Sequence, residues 1–307
     1  YDFREKLGIL FKPSFLSVGV TTTTTTALMC KGQGNSSSSE PSDIPTIAKF
    51  WRDVYFSIPK VNFPGTGLNV SFTVVSALFL MSIRLLATQV LQKAYGWPVE
   101  ESKEAAASVA GVIHSTLLCP GLVIAFWNQR YHPSEHITKA PQWWQDLVEA
   151  LLQFCTGYMI YDACFIVLTR LDPAVSWIPA FVPDDYLFLG HHFMTTTYMT
   201  QTRIYRAGHM SAMMCMLIGE ASNPNMNTWF VTSKAIVLDC CNGPLMQVFH
   251  KYNEIVFCAI YLLLRVIVGP LVCTHMSWNL LTSSEAKQHL PLGLRLFWNF
   301  MIWAVIL

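Results

Sequence analysis

The run FCAIYLLLRVIVGPL, residues 257–271, holds one charged side chain, Arg265, among fifteen residues. With its flanks it predicts a helix over about 252–274. A helix crosses the hydrocarbon layer of a bilayer with about 20 mostly apolar residues, so this stretch reads as a membrane span. Similar runs predict helices over 68–91, 104–127, 142–170, 185–205, 208–234 and 289–307. The runs at 68–91, 142–170, 252–274 and 289–307 meet that requirement well. The other three carry more polar residues, which in a bundle face the interior. The expected fold is an all-α, polytopic transmembrane helix bundle of six or seven spans with an irregular N-terminal tail.

Composition agrees. Of 307 residues, 52% are hydrophobic and only 13% charged, against about 25% charged in a soluble domain. Mean hydropathy is +0.37. With 20 basic and 19 acidic residues, net charge is +1, which gives no footprint for nucleic acid. Nine cysteines lack C-x-x-C spacing and lie mostly in apolar runs, so they read as small buried hydrophobes. No metal or cofactor is expected.

Residues 1–67 are unlike the rest of the chain. Thr21–Thr26 and Ser36–Ser39 are homopolymeric runs, and prolines recur at 13, 41, 45, 59 and 64. Such tracts bury too little apolar surface to order themselves. Residues 1–67 are therefore read as a polar, low-complexity extension that contacts other membrane subunits, and 68–307 as the transmembrane domain. Arg130, Lys139, Arg203, Arg206, Lys287 and Arg295 fall on the side of the tail. Lys93, Lys103, Arg170, Lys234 and Lys251 fall on the other, so charge alone does not orient the chain.

Ionisable groups inside spans are costly unless paired or hydrated. Those here are Arg84, His114, Asp162, His191, His192, Glu220 and Arg265, with Tyr158 one turn before Asp162 and Ser222 beside Glu220. Two readings stay open: a charge-paired interior that fixes helix register, or a cavity facing a lipid headgroup or acyl substrate. His191, His192, Asp162 and Glu220 are the candidate catalytic groups, since a histidine base oriented by a carboxylate suits acyl transfer. The alternative di-iron pattern is poor. His132 and His136 have H-x3-H spacing, but Phe188 stands three residues before His191.

In order along the chain, His114-Ser115, Gly157-Tyr158 with Asp162, His191-His192, Glu220-Ala221-Ser222-Asn223-Pro224 and Arg265 resemble the TLC-domain family, over about Leu68 to Leu307. This membrane domain is shared by ceramide synthases, translocon-associated membrane proteins and lipid-handling proteins. Synthases carry an H-D-x-S-D segment where this chain has Gly219-Glu220-Ala221-Ser222-Asn223, so the resemblance is to the non-synthase branch. It implies lipid binding or organisation through a polar intramembrane cavity. An accessory subunit of a larger membrane complex is the alternative, and an acyl-CoA-dependent N-acyltransferase the second. The endoplasmic reticulum is the implied membrane, with a mitochondrial or plastid membrane as the alternative if a targeting segment preceded Tyr1.

Overall fold

The computed structural model describes residues 44–64, 68–129, 133–171, 179–240 and 242–306. The poly-threonine and poly-serine runs, and hence most of the expected contact tail, lie outside them. So does His132.

Eleven α-helices occur among the described residues, without a named strand: α1 Thr46–Phe56, α2 Ser71–Tyr95, α3 Val99–Asn128, α4 Gln142–Arg170, α5 Pro183–Tyr205, α6 His209–Glu220, α7 Asn223–Val237, α8 Pro244–Tyr261, α9 Gly269–Thr282, α10 Ser284–His289 and α11 Leu292–Ile306. A π-helical segment, Leu262–Val268, joins α8 to α9. Four helical stretches are long and apolar enough to cross a membrane: α2, α3, α4 and Pro244–Thr282. With α5, the α6–α7 pair and α11 they make the expected bundle, and the chain is an integral membrane protein.

Local sequence explains the breaks. Gly96 takes φ +67° after α2, and its N–H and that of Trp97 donate to Gln92 and Leu91 carbonyls, closing the helix as glycine in the left-handed region does. Pro98 then stands at the N-cap of α3. The helix expected over 208–234 is two, because Pro224 lacks an N–H and cannot continue α6. Pro270 likewise cannot donate to the Val266 carbonyl, and the ladder before it shifts to π spacing. The 39 residues Pro244–Thr282 form a helix about 58 Å long, nearly twice the hydrocarbon thickness.

The centre is built by α3, α4 and α6, with α2 and α5 against α4 and α7 against α3. Close approach depends on small residues. A Cβ at Gly157 of α4 would lie 2.6 Å from the Thr73 carbonyl oxygen of α2, and one at Gly111 of α3 would lie 2.7 Å from Asn227 Nδ2 of α7.

Helix α1 falls inside the stretch read as extension, yet it packs on α3 and α4. Its Ala48, Trp51 and Tyr55 are buried, and Trp51 meets Phe72 and Phe154 edge-on. Helix α1 belongs to the same compact unit as the helices that follow it. The apolar spacing within TIAKFWRDVYF was legible, but the surrounding polar tracts masked it.

The other end of the chain is pinned by Trp298 of α11, which is fully buried. It donates through Nε1 to Gln201 Oε1 of α5 at 2.7 Å and covers Gly208, the residue at φ +75° between α5 and α6. Trp298→Phe leaves the Gln201 oxygen unpaired and should cost about 1–2 kcal/mol, read as a lower thermal midpoint of the purified protein.

Candidate functional site

The polar residues of α2 to α6 and the π segment gather into two clusters. The first surrounds Glu220, the last residue of α6, which is 5% exposed. Its Oε2 accepts from Ser115 Oγ of α3 at 2.6 Å and from Asn223 Nδ2 at 2.9 Å. His114 Nδ1 stands 3.5 Å from the same oxygen, within ion-pair range but not in hydrogen-bonding geometry. The His114 ring is fully buried and stacks on Tyr158 at 4.0 Å, the planes 9° apart. Arg265 donates through Nη2 to the Gly219 carbonyl and, at 3.1 Å, to Asn223 Oδ1. The break between α6 and α7 frees that carbonyl. Ser222 is also fully buried, and its Oγ lacks a hydrogen-bond partner among the described residues.

The second cluster centres on Asp162 of α4. His192 Nε2 lies 3.0 Å from Asp162 Oδ2, and Arg84 Nη1 of α2 lies 3.8 Å from Oδ1. The Arg84 guanidinium sits 4.0 Å over the Phe165 ring. Tyr158 links the clusters: one turn before Asp162, it stacks on His114 and meets the His192 ring edge-on at 6.5 Å.

Every residue expected in the polar interior therefore lies in or beside one assembly. The pairing differs in one respect from a simple carboxylate–arginine match: Arg265 bonds backbone and amide oxygens, and the arginine at a carboxylate is Arg84. Sequence order could not show this, because Arg84 and Asp162 share no helix.

His191 lines a small cavity between α4, α5 and α6 with Cys155, Thr195, Met216 and Glu220. Its volume is about 20 Å³, room for about one water molecule.

A larger space was not anticipated. A cleft of about 390 Å³ opens where α1, the start of α4 and the α5–α6 turn meet, lined by Tyr55, Gln145, Glu149, Arg203, Arg206 and His209 among others. Arg203, read from sequence as a loop cation, is 6% exposed and donates from Nε to Glu149 Oε1 at 2.8 Å. Charges at both ends of α4 and α5 were the available signal, but their side-by-side placement comes only from the packing.

No group of three or more metal-ligating side chains occurs among the described residues. His136 instead accepts from the Thr138 N–H at a short 3₁₀ turn. Burial, with His289, Arg206 and Lys139 nearby, holds its imidazole below the usual range.

A family model for the TLC domain matches the chain over residues 104–307. The chain belongs to the TLC-domain family. The match begins within α3, so α1 and α2, including Arg84, precede the matched TLC segment. No curated protein and no solved structure matches the chain. Within this TLC domain the seven described cysteines are free thiols.

Proposed function

We propose that this is a non-synthase TLC-domain protein that binds and organises membrane lipids around its bundle rather than inside it. The observation that carries the reading is the closed Glu220 cluster. Its Oε2 accepts from Ser115 and Asn223, and the adjacent cavity holds about one water. An acyl chain with its thioester needs far more room. The replacement of the synthase His-Asp and second Asp by Gly219-Glu220 and Asn223 points the same way.

Lipid contact is then peripheral. The apolar windows of α2 and of Pro244–Thr282 are each only 11% buried, leaving two long faces for acyl chains. Those same bare faces favour a second reading, an accessory subunit whose spans are covered by neighbours in a larger assembly. Family resemblance supports the endoplasmic reticulum, with a mitochondrial or plastid membrane as the alternative.

Native mass measurement in mild detergent, with lipid analysis of the particle, tests both. One or two copies carrying bound lipid is the expected result. Co-migration with a defined multi-subunit complex would make the accessory role the leading one. Acyl-CoA-dependent N-acylation by the purified chain, abolished in His192→Ala, would overturn the non-enzymatic reading.

A further inference from the structure

The cleft between α1, α4 and the α5–α6 turn has the size of a ligand site, and its charges are incompletely matched. Asp146 pairs with Arg52, Nε to Oδ2 at 3.4 Å. The bonds of Glu149 converge on one oxygen: Oε1 accepts from Arg203 and from Gln153 Nε2. No partner of Oε2 is found among the described residues. Arg206 reaches Gln145 Oε1 at 3.3 Å, with no carboxylate within ion-pair distance among the described residues. The cleft thus offers an acceptor carboxylate oxygen and a cation with spare donors.

Their spacing follows from α4. Gln145 and Glu149 are one turn apart on one helix face, about 6 Å, and Arg206 sits on Gln145. A further polar atom lacks a partner: His209, 3% exposed, lines the cleft with Nδ1 unbonded. An orphaned buried nitrogen costs about 1–3 kcal/mol, which a bound polar group would offset.

Position identifies the kind of ligand. Gln145 and Glu149 lie within two turns of the start of α4 at Gln142, roughly 5–11 Å along its axis, near the depth of the bilayer's polar zone. Beside them α1 buries one face in the bundle and exposes Phe50 and Phe56, with Lys49, Arg52 and Lys60 along the same segment. An amphipathic helix of this make-up lies in the interfacial plane. Acyl chains beside it would bring their headgroups to the cleft mouth.

We propose that this cleft binds the zwitterionic headgroup of a membrane phospholipid, its phosphate on Arg206 and His209 and its ammonium on Glu149. The inference rests on the lipid-binding reading above and names the site and headgroup class. Tyr55, its hydroxyl 3.0 Å from Asn69 Nδ2, forms the wall beside the ammonium.

The test uses the full chain purified in detergent, exchanged against phosphatidylcholine, phosphatidylglycerol or soluble glycerophosphocholine, with bound species counted by native mass spectrometry. Phosphatidylcholine should be retained about tenfold over phosphatidylglycerol, the value of one ionic contact between the Glu149 carboxylate and the choline nitrogen. Arg206→Asn should lower retention of both lipids several-fold, because both carry the phosphate. Its side chain is exposed, and asparagine tolerates the φ +53° found there, so folding is kept and checked by thermal midpoint. Glu149→Gln should remove the preference, because only phosphatidylcholine carries the ammonium.

Equal retention of the two lipids by the parent, unchanged retention in Arg206→Asn, or an unchanged preference in Glu149→Gln overturns the site. Displacement of lipid by glycerophosphocholine overturns the lipid assignment in favour of a free phosphodiester. A parent carrying no lipid at all fails the wider reading, whereas bound lipid without headgroup preference fails this inference alone.

Discussion

Glu220→Ala should lower the thermal midpoint of the purified chain sharply while leaving its co-purifying lipid unchanged. Alanine removes the acceptor for Ser115 Oγ and Asn223 Nδ2 and the carboxylate 3.5 Å from His114. In soluble proteins, breaking a buried ionic group of this kind costs about 3–5 kcal/mol. Inside a bilayer the unfolded helices also find polar partners, and single interhelical hydrogen bonds average about 0.6 kcal/mol with a maximum near 1.7. Two such bonds and a charge contact together give about 2–4 kcal/mol. Glu220→Gln should recover part of the loss, because its carbonyl still accepts from Ser115. Thermal melts of all three proteins in one detergent, beside lipid extracts, decide the matter. An Ala variant that melts like the parent but carries different lipid would mean that the interior contacts lipid after all.

Gly157→Val should prevent normal packing of α2 on α4. A Cβ at this position would lie 2.6 Å from the Thr73 carbonyl oxygen, 2.8 Å from Ser76 Cβ and 3.1 Å from the Ala77 nitrogen. Two of these are backbone atoms, so no side chain can swing away and the helices must separate. Overpacking costs about 1–3 kcal/mol, and the separation also weakens the Arg84–Asp162 pair and the bond from Thr73 N to Gln153 Oε1. We expect a loss of about 3 kcal/mol or more, with low recovery of folded protein. Gly190→Ala, where nothing lies within 4 Å of the added Cβ, is the control and should melt close to the parent. Equal behaviour of the two variants would show that α2 and α4 do not meet at Gly157 in the membrane.

Legibility from sequence tracked the range of the interactions. The spans were plain because hydropathy is local: Ser71–Tyr95 and Gln142–Arg170 each hold a long apolar window. Breaks at Pro224 and Gly96 were also written locally, in a missing N–H and a missing Cβ. Helix α1 was harder, since its amphipathic pattern covers only three turns inside a proline-rich stretch. The members of the polar interior were legible because lipid excludes such groups, but their partners were not. Asp162 is joined to Arg84 and Glu220 to Ser115 by packing alone. The cleft was invisible for the opposite reason. Charges near helix ends look ordinary in sequence, and only the fold sets Arg203 against Glu149.

The bond between Ser115 and Glu220 joins residues 105 positions apart. A ribosome adding about 5–20 residues per second delivers Glu220 roughly 5–20 s after it delivers His114 and Ser115. During that interval α3 has been made and α6 has not, so the insertion machinery handles a helix whose imidazole and hydroxyl have no mate. The Gly96-Trp97-Pro98 turn lets α2 and α3 enter as a hairpin, yet neither helix supplies the missing carboxylate. The order of synthesis therefore makes α3 dependent on a wet or protein-lined holding site until the sixth helix emerges.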